Sequence, residues 1–284
     1  MLFLVGMLIV FGSVLYGFVM SHGQLLALWQ PFEVLIIVGA ALGAFLLSNP
    51  WSLVRRTGRL LWRVIVGSGK REHAMQMDLL NLIFDILNKA RREGMMAIEA
   101  EVDSPDSSAI FARYPDIQRN RELANFVADY FRIIVVGNLS AFELEGIMDQ
   151  EIDTRLHELE QPAIAVTRMA DALPGFGIVA AVLGIVITMG AIGGEVSAIG
   201  AHVAAALVGT FSGVLLAYGL VGPIGNNMKH MADHEIRLYE AAKAAIVASL
   251  HGVPPQLAVE FGRKALYSHC RPSFDELDAR LRGR

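Results

Sequence analysis

Two apolar segments, residues 174–193 and 201–223, contain no Asp, Glu, Lys or Arg. Each has about the 20 residues that an α-helix needs to cross the hydrocarbon core of a bilayer. Both are rich in Gly and Ala, and Pro174 and Pro223 stand at the two ends away from the short loop between them. Because small residues let membrane helices approach closely, these segments predict a tightly packed pair of spans. The pair lacks the carboxylate that an ion carrier needs.

Two further apolar blocks open the chain. Residues 1–20 carry no charge, and residues 32–49 carry only Glu33. The first block has neither a basic start nor a small-residue cleavage site, so we predict a retained helix and not a signal peptide. Hydrophobic residues make up 54% of the chain and charged residues 18%, which is typical of a membrane protein with a substantial soluble part.

The basic residues predict the orientation of the four spans. Six of them follow the second span: Arg55, Arg56, Arg59, Arg63, Lys70 and Arg71. The loop at 21–31 has no Lys or Arg, and the loop between the third and fourth spans has only Glu195. Because Lys and Arg mark the cytoplasmic side, both chain ends are predicted to be cytoplasmic. The predicted fold is an all-α polytopic membrane protein with a cytoplasmic helical domain at 50–173 and C-terminal cytoplasmic helices at 224–284.

Apolar residues at three- and four-residue steps predict amphipathic helices at 73–94 and 120–136. Ser140 and Glu143 form a capping-box pattern that starts the next, strongly acidic helix. That helix is predicted to run, through breaks at Pro162 and Pro174, into the third span. The fourth span is predicted to continue to about Leu250, and a last helix is expected at 255–267.

No pattern points to catalysis. GSGK at 67–70 resembles the end of a phosphate-binding loop, but Val64 and Arg71 occupy positions where that loop needs Gly and Ser or Thr. His230 and His234 have metal-ligand spacing, but no third ligand of obvious spacing is near, so we expect two solvated side chains. The single Cys270 excludes an intrachain disulfide. The chain is not predicted to be an enzyme, and no catalytic residue, metal or cofactor is expected.

Charged residues near the end of the first cytoplasmic helix have two interpretations. Arg91, Arg92, Glu93 and Glu99 are either a solvated helix end or a docking surface of both signs, which would orient a partner. In the fourth span, Thr210 either bonds to its own helix or faces an ion path or a partner helix. The small-xxx-small motifs Gly39/Gly43 and Gly209/Gly213 predict close helix packing in both pairs of spans.

The chain resembles the MotA family of flagellar motor stator proteins along nearly its whole length. The most specific stretches are DALPGFGIVAAVLGIV (171–186), HVAAALVGTFSGVLLAYG (202–219) and AVEFGRKALYSHCRPSF (258–274). KARREGMMAIE (89–99) and FELEGIMDQEID (142–153) match the cytoplasmic signatures. The resemblance implies a subunit of the bacterial inner membrane that conducts ions and generates torque.

The resemblance also implies roles for particular residues. The family's contacts to the rotor protein FliG correspond to Arg91 and Glu99, with the neighbouring Arg92–Glu93 pair a departure from many relatives. The family's channel threonine corresponds to Thr210. Sodium-driven relatives usually carry a second Thr where this chain has Ala181. The alanine therefore favours the proton as the ion that this chain conducts.

Hinge and partner roles follow in the same way. The family's two boundary prolines correspond to Pro174 and Pro223. Five such subunits, surrounded by membrane lipid, are expected to enclose a dimer of the single-span partner MotB, whose Asp carries the ion; no nucleic-acid partner is expected. The residues themselves also indicate that a partner is needed. Glu33 is placed at the outer rim and Asp171 at the inner rim, so no span is expected to hold a buried acid. The missing acid must then come from a partner.

Three alternatives stay open at the level of sequence. The chain could be a TolQ/ExbB-like energiser of an envelope process, although those relatives have three spans and no KARREG docking stretch. It could be a sodium-driven stator. It could also be a membrane scaffold whose cytoplasmic helices recruit a partner.

Overall fold

The computed structural model describes residues 2–66, 71–137, 139–190 and 196–282. The regular secondary structure of these ranges is helical, without a strand. Four stretches are long and apolar enough to cross a membrane: Leu2–Met20, Leu25–Ser48, Ala141–Gly190 and Ile199–Leu250. The predicted all-α fold with four spans is therefore confirmed, and the chain is a multi-pass membrane protein.

The α-helices of the described ranges are, in chain order, α1 (Leu2–Met20), α2 (Leu25–Leu28), α3 (Pro31–Ser48), α4 (Trp51–Val66), α5 (Arg71–Glu93), α6 (Glu99–Asp103), α7 (Pro115–Arg119), α8 (Arg121–Val136), α9 (Ala141–Gly190), α10 (Val196–Leu216), α11 (Gly222–Leu250), α12 (Pro255–Ala265) and α13 (Phe274–Arg282). Short 3₁₀ turns at Met95–Ile98 and Phe111–Arg113 connect some of them. A π-helical turn, Ala217–Val221, separates α10 from α11.

Several predicted helix ends are confirmed by their hydrogen bonds or dihedral angles. Helix α5 ends before Gly94, which has a φ of 94°, a value that favours glycine. In the capping box before α9, the Ser140 amide donates to Glu143 Oε2 at 2.8 Å, and the Glu143 amide donates to Ser140 Oγ at 3.2 Å. Helices α4 and α13 were not predicted, and α12 ends at Ala265.

The chain divides into two compact units, which are described separately. The membrane unit comprises Met1–Gly67 and Leu159–Met231, and the helical unit comprises Ser68–Glu158 and Ala232–Arg284. Residues 159–173 and 224–231, predicted as cytoplasmic, thus group with the spans. The unit boundaries fall inside α9 and α11.

Helix α9 continues through both of its prolines. The predicted breaks at Pro162 and Pro174 do not interrupt it. A proline inside a helix removes one N–H donor and clashes with the preceding turn. Neighbours that hold the chain in place explain the tolerance: Ala163 and Leu173, each next to one of the prolines, are both buried.

The fourth span reaches Leu250, as predicted, but it contains an irregularity that the sequence did not reveal. The π turn Ala217–Val221 is followed at once by Gly222 and Pro223. A Cβ on Gly222 would lie 3.0 Å from the Ala217 carbonyl oxygen, so glycine fits this tight place. The π turn thus lies directly before Pro223, which lacks the N–H donor of a regular helical hydrogen bond.

Aromatic side chains form the core of the helical unit. The ring of Phe126 packs edge-on against Tyr130 and Tyr239, with centroids 4.9 and 5.0 Å apart. Helix α12 packs on α5 and α11 through Gly262, whose added Cβ would lie 2.6 Å from the Ala241 carbonyl oxygen and 3.0 Å from Leu80 Cδ2. Helix α8, which carries Phe126 and Tyr130, also packs against α6.

The corner between α5 and α6 is held by a shielded ion pair. Lys89 Nζ lies 2.9 Å from Glu101 Oε1. The Ser108 hydroxyl and the Ile110 amide donate to Glu101 Oε2. Burial alone would raise the pKa of Glu101, but the hydrogen bonds from Ser108, Lys89 and Ile110 outweigh it and lower the pKa to about 2.

We expect Glu101→Gln to destabilise the helical unit by about 2 kcal/mol near neutral pH, because three donors lose a charged acceptor. The folded pKa lies below the ordinary value of 4.5, so this stabilisation is present above about 4.5 and is lost as pH falls towards about 2. Urea unfolding of the detergent-solubilised chain, followed by near-ultraviolet circular dichroism, measures it. The exposed Glu93→Gln is the control, with an expected change below about 0.5 kcal/mol. An equal loss for Glu101→Gln at neutral pH and at about pH 3 would contradict the assignment.

Candidate functional site

Helices α9 and α10 meet at a seam of glycines, Gly177, Gly209 and Gly213, which we call the glycine seam. A Cβ on Gly213 would lie 2.8 Å from the Leu173 carbonyl oxygen and 3.0 Å from Gly177 Cα. A Cβ on Gly177 would lie 3.1 Å from the Gly209 carbonyl oxygen. These neighbours are backbone atoms, which cannot move aside as a flexible side chain can. The two backbones are therefore in direct van der Waals contact, as in other small-residue membrane interfaces.

Thr210 and Ala181 both border the glycine seam. A Cβ on Gly177 would lie 3.4 Å from Thr210 Cα, and a Cβ on Gly209 would lie 3.6 Å from the Ala181 amide nitrogen. Thr210 and Ala181 are both half-buried. The structure thus brings the two residues to opposite sides of one helix contact, where neither is enclosed by this chain alone.

Glu33 also reaches the glycine seam, a contact that was not predicted from the sequence. Its Oε2 would lie 3.2 Å from a Cβ on Gly209. This oxygen is buried and has no hydrogen-bond partner among the residues that the structure describes. The interpretation that no span holds a buried acid is therefore corrected at Glu33, whose side chain is half-buried with one carboxylate oxygen fully enclosed. The signal was available, since Glu33 is the only charged residue of the second span and lies four and eight residues before Ile37 and Ala41.

Helix α3 packs against its neighbours through the face that carries Glu33, Ile37 and Ala41. Ile37 and Ala41 are fully buried and form an apolar cluster with Leu173, Ala180 and Ala217. We call it the proline cluster because Pro174 and Pro223 lie beside it. The motif Gly39/Gly43 lies elsewhere on α3, and no described atom lies within 4 Å of a Cβ added to either glycine. The predicted packing role therefore applies within this chain to Gly209 and Gly213 only.

The two boundary prolines flank the proline cluster. Pro174 follows the buried Leu173 in α9, and Pro223 lies just beyond the π turn that begins at Ala217. Both prolines are half-buried. A change in the path of either helix at its proline would thus change the packing of the same apolar cluster.

In the helical unit, the corner between α5 and α6 presents exposed charges. Arg91 lies in the last turn of α5, and Glu99 is the first residue of α6. Both side chains are exposed, and neither has an ion-pair partner within the described ranges. The buried Ile98 and the Lys89–Glu101 pair position the backbone on either side of them. The corner can therefore offer two charges of opposite sign at little desolvation cost.

The remaining sequence motifs have different outcomes. GSGK at 67–70 lies outside the described residues. His230 is exposed, whereas the half-buried His234 lies beside His269 and Cys270. These three residues could bind a metal ion.

Two family models match the chain. Residues 4–94 match the motility protein A N-terminal model, and residues 118–241 match the MotA/TolQ/ExbB proton channel family. Two similar proteins named motility protein A, from Salmonella typhimurium and Escherichia coli, are each 40% identical over 282 residues, which is 99% of this chain and 95% of the relative. The protein named chemotaxis protein LafT from Vibrio parahaemolyticus is 37% identical over 96% of this chain and 95% of its own length.

Two solved structures share the fold. The structure titled C. jejuni MotAB matches with a TM-score of 0.74 and 20% identity, over 94% of this chain and 95% of that chain. The structure titled as the flagellar MotAB stator complex from Bacillus subtilis matches with a TM-score of 0.71 and 23% identity, over 97% and 98%. The matched family is one of stator and channel proteins and not of enzymes. The predicted identity is confirmed: this chain belongs to the motility protein A family, within the MotA/TolQ/ExbB proton channel proteins.

Proposed function

We propose that this chain is a flagellar stator subunit that works with a MotB-type partner, conducts protons and turns their flow into torque on the rotor protein FliG. The observation that carries the proposal is the 40% identity to motility protein A across 99% of the chain. The titles of the two similar structures describe MotAB complexes, which supports a partner of the MotB type.

A partner must supply the main ion-carrying acid. The four spans predicted from the sequence contain one carboxylate, Glu33, and it lies in the first turn of α3. With both chain ends in the cytoplasm, that turn is near the outer surface, so Glu33 alone cannot relay a proton across the membrane. An Asp of the partner helix, enclosed by five copies of this chain, would complete the path along Thr210 and Ala181.

The exposed faces of the spans suit such a ring. On α9, Ile178, Val182 and Ile185 each expose more than half of their surface. On α10, Leu207 does the same. Within a membrane these surfaces contact lipid, a neighbouring subunit or the partner helix, and only packing, not hydrophobicity, selects among them.

The energy of one ion limits the kind of motion. One charge that falls through 100 mV releases about 2.3 kcal/mol, whereas inversion of a two-state equilibrium from 1:99 to 99:1 needs about 5.5 kcal/mol. One proton can therefore bias a shallow equilibrium but cannot remodel a fold. We propose that the subunits step around the partner as preformed bodies, pivot near Pro174 and Pro223, and push the rotor with Arg91 and Glu99.

We expect deletion of the gene to leave flagellar filaments assembled and the cells immotile. In the complemented strain, swimming speed should fall when a protonophore collapses the proton gradient at fixed sodium concentration. A speed that follows external sodium would instead identify a sodium-driven stator. Normal swimming of the deletion strain would exclude a role as sole stator and would favour a TolQ/ExbB-like energiser.

Charge reversal at the corner, Arg91→Glu or Glu99→Lys, should strongly reduce the torque of tethered cells, because like charges oppose docking at the rotor. The membrane level of the protein should stay normal, since neither side chain makes an ion pair in the described structure. Arg280→Glu, an exposed charge on α13, is the matched control and should retain wild-type torque. Unchanged torque in both corner variants would exclude this surface from rotor contact.

Replacement of both boundary prolines, Pro174→Ala with Pro223→Ala, should lower torque, because regular helices would resist the pivot at the proline cluster. Pro162→Ala changes a buried proline of the same helix α9 outside the predicted spans, and it should leave torque near the wild-type value. Torque is read from bead rotation at matched membrane levels. The pivot is wrong if the double variant rotates beads as the wild type does.

A further inference from the structure

Three side chains that are common zinc ligands meet in the helical unit. His234 lies on α11, whereas His269 and Cys270 lie in the connection between α12 and α13. One ring nitrogen of each histidine and the Cys270 sulfur all lie within 4.8 Å of one another. The sequence separates them by about 35 residues, so the fold alone brings them together.

The spacing of these atoms fits one metal ion. Zinc binds His nitrogen at about 2.0–2.1 Å and Cys sulfur at about 2.3 Å in tetrahedral geometry. Those bond lengths put ligand atoms about 3.3–3.6 Å apart. Side-chain rotations that shorten the separations by about 1 Å are enough to reach these values. A fourth position remains for water, as in other sites with three protein ligands.

The Cys270 sulfur is already oriented by a buried neighbour. Gln76 on α5 is 4% exposed, and its Nε2 donates to Cys270 Sγ at 3.3 Å. This hydrogen bond holds the sulfur in place next to the two histidines. Second contacts of this kind set ligand orientation in metal sites.

Aromatic contacts orient the two imidazoles. The ring of His234 lies 5.4 Å from the rings of His269 and Tyr267, and the ring of His269 stacks on Tyr267 at 5.7 Å. The guanidinium carbon of Arg237 lies over the Tyr267 ring, 4.7 Å from its centroid. The hydrogen bond to Tyr267, together with the charges of Glu240 and Asp233, raises the pKa of Arg237, so its guanidinium stays a cation beside the Tyr267 ring. His269 is exposed, which gives an ion direct access from solvent.

We propose that His234, His269 and Cys270 form a zinc site that ties the α12–α13 connection to helix α11. The thiolate and two neutral imidazoles suit zinc, a borderline-soft ion, better than the hard cations magnesium and calcium. The site uses none of the residues proposed for ion passage or rotor contact, so it stands independently of the stator function.

Titration of the full-length, detergent-solubilised chain with cobalt, followed by zinc, tests the proposal. Cobalt should produce a thiolate-to-metal charge-transfer band and the intense visible bands of a tetrahedral site, and zinc should abolish both. Zinc should also raise the Tm of the protein, because a ligand that binds only the folded chain stabilises it. Absence of the charge-transfer band, or a Tm that zinc leaves unchanged, would overturn the site.

Variants separate this site from adventitious binding. His269→Ala should weaken zinc binding by more than about 100-fold. Loss of a contact that only supports a ligand costs up to about 100-fold, and loss of a ligand itself should cost more. Cys270→Ser should abolish the charge-transfer band and weaken binding likewise. His230→Gln, one helical turn before His234 and outside the cluster, is the matched control and should bind as the wild type does. Circular dichroism confirms that each variant folds, and equal zinc affinity in wild type, His269→Ala and Cys270→Ser would overturn the proposal.

Discussion

The direct contact between the backbones of α9 and α10 is the constraint on which the membrane unit depends. Lipid offers no hydrophobic drive for helices to associate, so close packing must supply the attraction. At the glycine seam any side chain on Gly213 would meet the Leu173 carbonyl oxygen at 2.8 Å, and neither backbone can yield without moving a whole helix. This contact sets the spacing of the two spans and brings Thr210 and Ala181 to one place.

The glycine seam is linked, through Leu173, to the places where α9 contains a proline and where the π turn begins. Leu173 contributes its carbonyl to the seam and its side chain to the proline cluster, where it joins Ala217 at the start of the π turn. Pro174 is absorbed into a continuous helix, whereas Pro223 follows a π turn. The two prolines are therefore different in structure although they have similar positions at the ends of their spans. Under the proposed mechanism, the π turn is the softer of the two pivots, because its hydrogen bonding is already irregular.

The helical unit shows how buried polar contacts support an exposed surface. The charges of Arg91 and Glu99 are free to meet a partner because the neighbouring Lys89 and Glu101 neutralise each other inside the corner. Ser108 and the Ile110 amide satisfy the remaining lone pairs of Glu101. These contacts fix the geometry of the corner, which the proposed contact with the rotor requires.

The sequence alone determined the spans, several helix ends and the family, because each depends on residues close together in the chain. The charge-free segments predicted the membrane helices, the Ser140–Glu143 pattern predicted its own hydrogen bonds, and Gly94 predicted a helix end. Helix α4 was not predicted, although its arginines form the polar face of an amphipathic pattern. Tertiary structure alone decided which distant residues meet: Glu33 with Gly209, and His234 with His269 and Cys270. Periodicity reports which face of a helix is apolar, but it does not report the partner that the face packs against, since that depends on how separate helices cross.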